Sequence, residues 1–324
     1  MPATVTSDMR PTAEFHYDAA SAISQGRRDQ QEDAVAADFP AGAGIGFAVL
    51  ADGMGGHAAG DVASGIVVTE VFSELKLRAA DPGGFERDIG GLLREAASSA
   101  NDCVAHHVAS YPGAYGMGAT LVAPVLVGDR LYWISVGDSP LFLFRDGRLR
   151  RLNEDHSLTP QIDYLAASGL MPAEEALNHP DRNCLTSVLI GQPIPMIDCP
   201  DRPVRLAEGD LVLAASDGLL FLPDERIEAI LAAHAGEPSA MIGARLLRAL
   251  EDLDDPDQDN VSLCVIQVSR QAAPAVGVLE PGLPVAPPPP SPRAPGRDMV
   301  AIMVKTENNR RMLMYRSSKS GRIA

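Results

Sequence analysis

Short apolar runs alternate with charged, glycine-marked breaks along most of this chain, and two periods can be read from them. Residues 17–24, 34–37, 46–50, 119–127, 130–136, 141–145, 148–152, 204–206, 210–215 and 261–268 are short segments without the helical period. It is their shortness and the turn formers that bound them that predict strands. Gly128-Asp129 and Asp146-Gly147 separate neighbouring runs by hairpin-type turns. Longer stretches follow the helical period. Val62, Ile66, Val67, Val71 and Leu75 predict a helix over 61–77, with Asp61 placed to cap its start. Asp81-Pro82-Gly83-Gly84 breaks the pattern, and Ile89, Leu92, Leu93, Ala96, Ala100 and Val104 carry a second helix over 85–110. Two helices with so short a break are expected to pack antiparallel. Residues 223–234 and 238–253 predict a further pair, placed on the other face.

A second regularity concerns where the strands stop. Residues 46–50 run into Asp52-Gly53, 130–136 into Gly137-Asp138, and 210–215 into Ser216-Asp217-Gly218, while Asp259-Asn260 leads into 261–268. Between 17–24 and 34–37 a charged turn carries Arg28, Glu32 and Asp33. Taken singly, each is an ordinary turn at a strand end. Taken together they offer carboxylates that one sheet edge can collect. Gathered carboxylates repel unless cations neutralise them, and Mg2+ and Mn2+ prefer oxygen ligands. Two such ions about 3.5–4 Å apart activate a water and clamp both oxygens of an in-line displacement. Arg28 is suited to grip a phosphate with its forked guanidinium. The implied chemistry is phosphoester hydrolysis. No GxxxxGK[ST] phosphate loop and no serine or cysteine nucleophile beside a base stands out.

Composition narrows the setting. The net charge of −16 argues against nucleic acid as a partner. Cys103, Cys184, Cys199 and Cys264 form no CxxC pair, so a zinc site and a disulfide framework are not expected. With no signal-type or membrane-spanning apolar run, we expect a cytoplasmic protein without membrane insertion. Residues 1–16 read as a flexible N-terminus and 17–271 as the folded domain. Within it, 156–190 is irregular between strand regions, with short helices over 158–168 and 173–176, as expected of a flap over a site. Residues 272–297 are a proline-rich linker. Residues 298–324 form a basic tail, a possible β-hairpin. Lys305, Arg310, Arg311, Arg316, Lys319 and Arg322 against Asp298 and Glu307 give it +4, so it is expected to bind the acidic domain or a partner.

The ordered set Arg28-x-x-Gln31-Glu32-Asp33, Asp52-Gly53-Met54-Gly55-Gly56-His57, Gly118-Ala119-Thr120-Leu121, Val136-Gly137-Asp138-Ser139, Asp155-His156-Ser157, Ser216-Asp217-Gly218 and Asp259-Asn260 closely resembles the metal-dependent serine/threonine protein phosphatases (PPM, or type 2C) in their bacterial form. The resemblance covers residues 17–268 and reaches the flap through Asn178-His179-Pro180 and Arg182-Asn183-x-Leu185-Thr186. It implies an α+β fold, a central antiparallel β-sandwich with an antiparallel helix pair on each face. It also implies Mn2+ or Mg2+ as cofactor, with two core ions and a weaker third. By position, Asp52 would bridge two metals, and the Gly53 carbonyl would bind one of them. Asp217 and Asp259 would hold the second, with Glu32 and Asp33 acting directly or through waters. Asp138 and Asp217 would form the third site, and Arg28 would bind the substrate phosphate. Phosphorylated proteins would be the substrates, opposite a bacterial Ser/Thr kinase. A non-catalytic phosphoprotein- or partner-binding module and an anti-sigma-pathway phosphatase are the alternatives. Met54 stands where eukaryotic members carry a histidine proposed as general acid. Gln31, Pro140 and Ser187 also depart from the usual residues without removing a proposed ligand.

Overall fold

The computed structural model describes residues 14–41, 43–55, 59–80 and 82–271. The glycine-loop residues Gly56 and His57, the linker and the basic tail with its expected hairpin lie outside the described residues.

In chain order the elements begin with strands β1 (Glu14–Ser24), β2 (Asp33–Asp38) and β3 (Ile45–Met54). Helices α1 (Gly60–Arg78), α2 (Pro82–Arg87) and α3 (Ile89–Ser110) follow. Next come β4 (Gly118–Ala119), β5 (Leu121–Val127), β6 (Arg130–Val136), β7 (Leu141–Arg145) and β8 (Arg148–Arg151). The segment 156–190, expected as a flap, carries α4 (Thr159–Ala167) and α5 (Ala173–Leu177). The chain then adds β9 (Val204–Arg205), β10 (Leu211–Ala215), a 3-10 turn (Asp217–Phe221), α6 (Asp224–His234), α7 (Ser239–Glu251) and β11 (Val261–Gln271).

One sheet runs β1-β11-β10-β7-β8 and the other β2-β3-β5-β6-β9, with β4 beside β3. The named strand pairs are antiparallel. The alternation of side chains across a strand assigns each residue to a layer. From β3, Ala48 and Leu50 face the second sheet, where they meet Val212, Ala214, Cys264 and Ile266. Phe47, Val49 and Ala51 face the opposite way, onto α1 and α3 through Val67, Val71, Leu93 and Ala96. From β10 and β11, Leu213 and Val265 pack on Ile227, Leu231, Ile242 and Leu246 of α6 and α7. The result is the expected four-layer α/β/β/α sandwich. Because both faces of the central strands are covered, they read as unbroken apolar runs rather than alternating ones. Burying each large aliphatic side chain contributes roughly 1.5–3 kcal/mol.

Several boundaries differ from the sequence reading, each for a local reason. β1 starts at Glu14 rather than at 17, because Glu14, Phe15 and His16 pair with Gln271, Arg270 and Ser269 of the long partner strand. Asp61 does not cap α1; the N-cap is Ala59, and Asp61 sits in the first turn, where its charge still favours the helix dipole. The expected helix over 85–110 is broken at Asp88 (φ −138°, ψ 41°). The segment before it is itself helical, since Pro82 is suited to a first helical position. Glu86 of α2 accepts hydrogen bonds from Arg130 (2.8 Å at Oε2) and from the Tyr132 hydroxyl (2.9 Å), which fastens this short helix to β6. Among the described residues no helix is long and apolar enough to cross a membrane.

Candidate metal centre

The inner strands of both sheets end at one rim, and the chain places its acidic residues there. β2 and β3 pair so that Asp33 lies directly opposite Asp52. The residues 119–127, expected as one strand, divide at Thr120, because Thr120 turns its side chain to the end of β3. Its hydroxyl accepts the Asp52 N–H (3.0 Å), while its own N–H donates to the Asp52 carbonyl (2.9 Å). The Thr120 hydroxyl also pairs with that of Ser139 (2.8 Å), which follows Asp138. Asn153 then donates to the Ser139 carbonyl (2.9 Å) and accepts from the Leu141 N–H (2.8 Å). A buried polar chain therefore fixes the ends of β3, β6 and β7 relative to one another.

The Arg28–Asp33 turn is fixed from the other sheet. Asn260 donates to the carbonyls of Gln25 and Gln30 (2.9 Å each) and accepts the Glu32 N–H (2.7 Å). The Gly53 N–H donates to the Glu32 carbonyl (3.1 Å). At Gly53 a Cβ atom would lie 2.0 Å from the Gly60 carbonyl oxygen and 2.5 Å from that of Glu32. The Asp-Gly pair at this strand end is thus a packing requirement, since any larger residue would force the turn and α1 away.

The acidic side chains are neighbours in electrostatic terms. Burial pushes Asp33 up to about 7, with the nearby charges of Asp217 and Asp259 adding to the shift and the Ser216 hydroxyl opposing it. Ser216 donates to Asp33 Oδ2 at 2.7 Å, whereas Asp33 Oδ1 is buried without a hydrogen-bond partner. Burial likewise pushes Asp138 up to about 7, reinforced by Asp217 and Asp155. Asp52 is raised well above the ordinary range by burial and by Asp33, Asp217 and Asp138. Asp52 and Asp217 lie close enough to share a proton, and Asp217, also raised, keeps a second buried oxygen unpartnered. Glu32 is raised by burial and by Asp61. Arg28 pairs with Asp259 at 2.6 Å and remains more than half exposed. Beside it opens a cavity of about 370 Å³ lined by Arg27, Arg28, Pro256, Asp257 and Gln258.

All of Arg28, Glu32, Asp33, Asp52, Gly53, Asp138, Asp217 and Asp259 therefore belong to one rim. Among the described residues no three acidic, histidine or cysteine side chains are drawn into a ready coordination shell. Like charges facing one another have no reason to converge. The donor set nonetheless fits a hard divalent cation: every group offers oxygen, two buried carboxylate oxygens lack partners, and burial, reinforced by neighbouring charges, raises the proton affinity of five of the acids. The supporting residues Thr120, Ser139, Asn153, Ser216 and Asn260 are all buried. Sequence reasoning quoted Thr120, Ser139, Ser216 and Asn260 only as motif neighbours and gave Asn153 no role. A polar residue abutting an apolar run was the available signal.

An acidic rim on an antiparallel α/β/β/α sandwich, with an arginine beside it, defines the class: a sandwich protein built to gather carboxylates at one edge. Residues 20–233 match the model of the family described as protein phosphatase 2C, and the chain belongs to that family. The serine/threonine protein phosphatase PstP of Mycobacterium tuberculosis is 37% identical over 178 residues, covering 55% of this chain and 32% of PstP. The match thus spans about a third of that relative's length. The crystal structure of the Mycobacterium tuberculosis serine/threonine phosphatase PstP/Ppp is similar with a TM-score of 0.64 and 32% identity, covering 79% of this chain and 99% of that one. A structure of the PstP catalytic domain in complex with 2 manganese ions gives a TM-score of 0.63 at 31% identity, with 79% and 99% covered.

Proposed function

We propose that this chain is a Mn2+- or Mg2+-dependent protein phosphatase that hydrolyses phosphoserine and phosphothreonine on proteins. The observation that carries the reading is the collection of Asp33, Asp52, Asp138 and Asp217 into one mutually repelling, largely buried set beside Arg28 and Asp259. Family membership and the manganese bound by the PstP catalytic domain support it.

Asp52 and the Gly53 carbonyl would hold two core ions together with Asp217 and Asp259, with Glu32 and Asp33 contributing directly or through waters. Asp138 with Asp217 would hold a weaker third. Such ions, when bound, neutralise the acids and lower the pKa of water. The chain's own residues do the rest. Thr120 and Asn260 hold the two strand ends in register, and Ser216 orients Asp33. Arg28 exchanges its Asp259 contact for the substrate phosphate, which it can grip with two parallel N–H donors. In the reaction a water oxygen bonds to phosphorus and gives up a proton while the bond to the serine or threonine oxygen breaks, and that oxygen takes up a proton in its turn. Met54, partly exposed at the rim, carries no transferable proton.

The substrates would be phosphoproteins made by a Ser/Thr kinase of the same cytoplasm. The basic tail would dock on the acidic domain or a partner. Deletion of 272–324 that left stability, substrate range and every interaction unchanged would count against that docking. The central test is hydrolysis of a phosphothreonine peptide with Mn2+. Asp52→Asn is expected to reduce it by at least roughly 100-fold, more than the loss typical of residues behind a metal ligand. Absence of Mn2+-dependent hydrolysis by the unaltered chain would refute the reading.

A further inference from the structure

Behind Asp138 sits a histidine that the proposed reaction does not use. His156 is 2% exposed and follows β8 at the root of the flap. Its ring Nδ1 accepts the Gly137 N–H (3.2 Å), and its own N–H donates to the Gly137 carbonyl (3.1 Å). The peptide just before Asp138 is thus gripped on both sides by one residue. Gly137 adopts φ +105°, and a Cβ there would lie 2.6 Å from Thr120, so this backbone has little alternative placement. The Asp138 carbonyl is in turn held by Arg151 (2.5 Å), whose guanidinium also reaches Asp155 (3.2 Å).

The remaining carbonyl of His156 points to the other end of the flap. It accepts both the Thr186 N–H (2.7 Å) and the Thr186 hydroxyl (2.8 Å). Ser157 bridges Leu185 beside it, so the two ends of the flap close on this residue. With Nδ1 accepting, a ring proton falls on Nε2, a buried atom without a hydrogen-bond partner that lies 3.8 Å from the exposed Glu154 carboxylate. An imidazole required only to fill volume could be replaced by an apolar group. This one spends its ring acceptor and both backbone polar groups on joining two functional segments.

We infer that His156 is a positioning residue that mechanically joins the flap, through Thr186, to the Gly137-Asp138 peptide, so that contacts made by the flap set the placement of the Asp138 carboxylate. The inference rests on the proposed role of Asp138 for its kinetic consequence, but not for the joint itself.

Two variants separate positioning from packing: His156→Leu keeps volume and burial but loses the acceptor, while His156→Asn retains an acceptor near the Nδ1 position. His156→Leu should lower kcat on a phosphothreonine peptide roughly tenfold and raise the Mn2+ concentration needed for half-maximal rate, with His156→Asn recovering to within about threefold. In an Asp138→Asn background, His156→Leu should add less than about twofold, because both changes act on one group. Losses that multiply, or Asn no better than Leu, would overturn the inference. Thr186→Val is the second variant, should the leucine protein fail to fold. By hydrogen exchange on the metal-free chain it should speed exchange of the Gly137 amide, and an unchanged rate would also overturn the joint. This readout needs no activity, so a chain without phosphatase activity but with coupled exchange would sink the proposed function and leave the joint standing.

Discussion

Asp33 shows how one residue's surroundings become a measurable property. It is an acid opposite another acid, with one oxygen bound by Ser216 and the other unpartnered. Burial and neighbouring charges bring Asp33, and likewise Asp138, up to about 7, against about 3.9 for an exposed aspartate. Without divalent ions the folded chain therefore holds more protons than the unfolded chain between these values. The stability from that difference is complete below about 4 and is lost as pH rises through about 7. We expect the chelator-treated protein to melt at a higher temperature at pH 5.5 than at pH 7.5. Ligands must be deprotonated to bind metal, so Mn2+ affinity should instead rise over the same interval, with proton release detectable by calorimetry in buffers of different ionisation enthalpy.

At the scale of elements, short connections fasten long ones. Helix α2 is held to β6 through Glu86. Burial would raise the Glu86 carboxyl, but hydrogen bonds from Arg130 and Tyr132 outweigh it and hold the group below its usual range. Its contribution is present above the ordinary glutamate pKa and is lost as pH falls through the depressed one. Glu86→Gln should therefore cost about 1–2 kcal/mol at pH 7 in urea unfolding, with the difference shrinking on acidification. A different element contact governs Gly53. Alanine there meets the first residue of α1 and the Glu32 turn together. We expect a loss of about 1–3 kcal/mol, in the range of overpacked cores, and a weakened Mn2+ response.

For the whole molecule, the acidic rim draws on both sheets. Asp33 and Asp52 belong to β2 and β3 of one, while Asp217 and Asp259 flank β10 and β11 of the other. An ion held between them would tie the two layers together across the open edge of the sandwich. Mn2+ at 100 times its dissociation constant should stabilise the chain by about 2.7 kcal/mol, read as a rise in melting temperature that EDTA reverses. Asp217→Asn should abolish most of that rise, and an equal rise in the variant would count against a shared ion.

Much of this was decided along the chain. The periods of apolar residues specify which segments are strands and which are helices, because burial on one face or two is a local pattern. Acidic residues at the strand ends announced the rim before any fold was known, and the ordered motifs pointed to the family. Tertiary structure alone decided that Thr120 would leave the strand to hold Asp52, that Arg28 would pair with Asp259, and that Ser216 would reach Asp33 across 183 residues of sequence. It also decided that His156 would hydrogen-bond both Gly137 and Thr186. Such contacts form when distant segments are packed together, and a residue's type carries no mark of the partner that packing will bring to it.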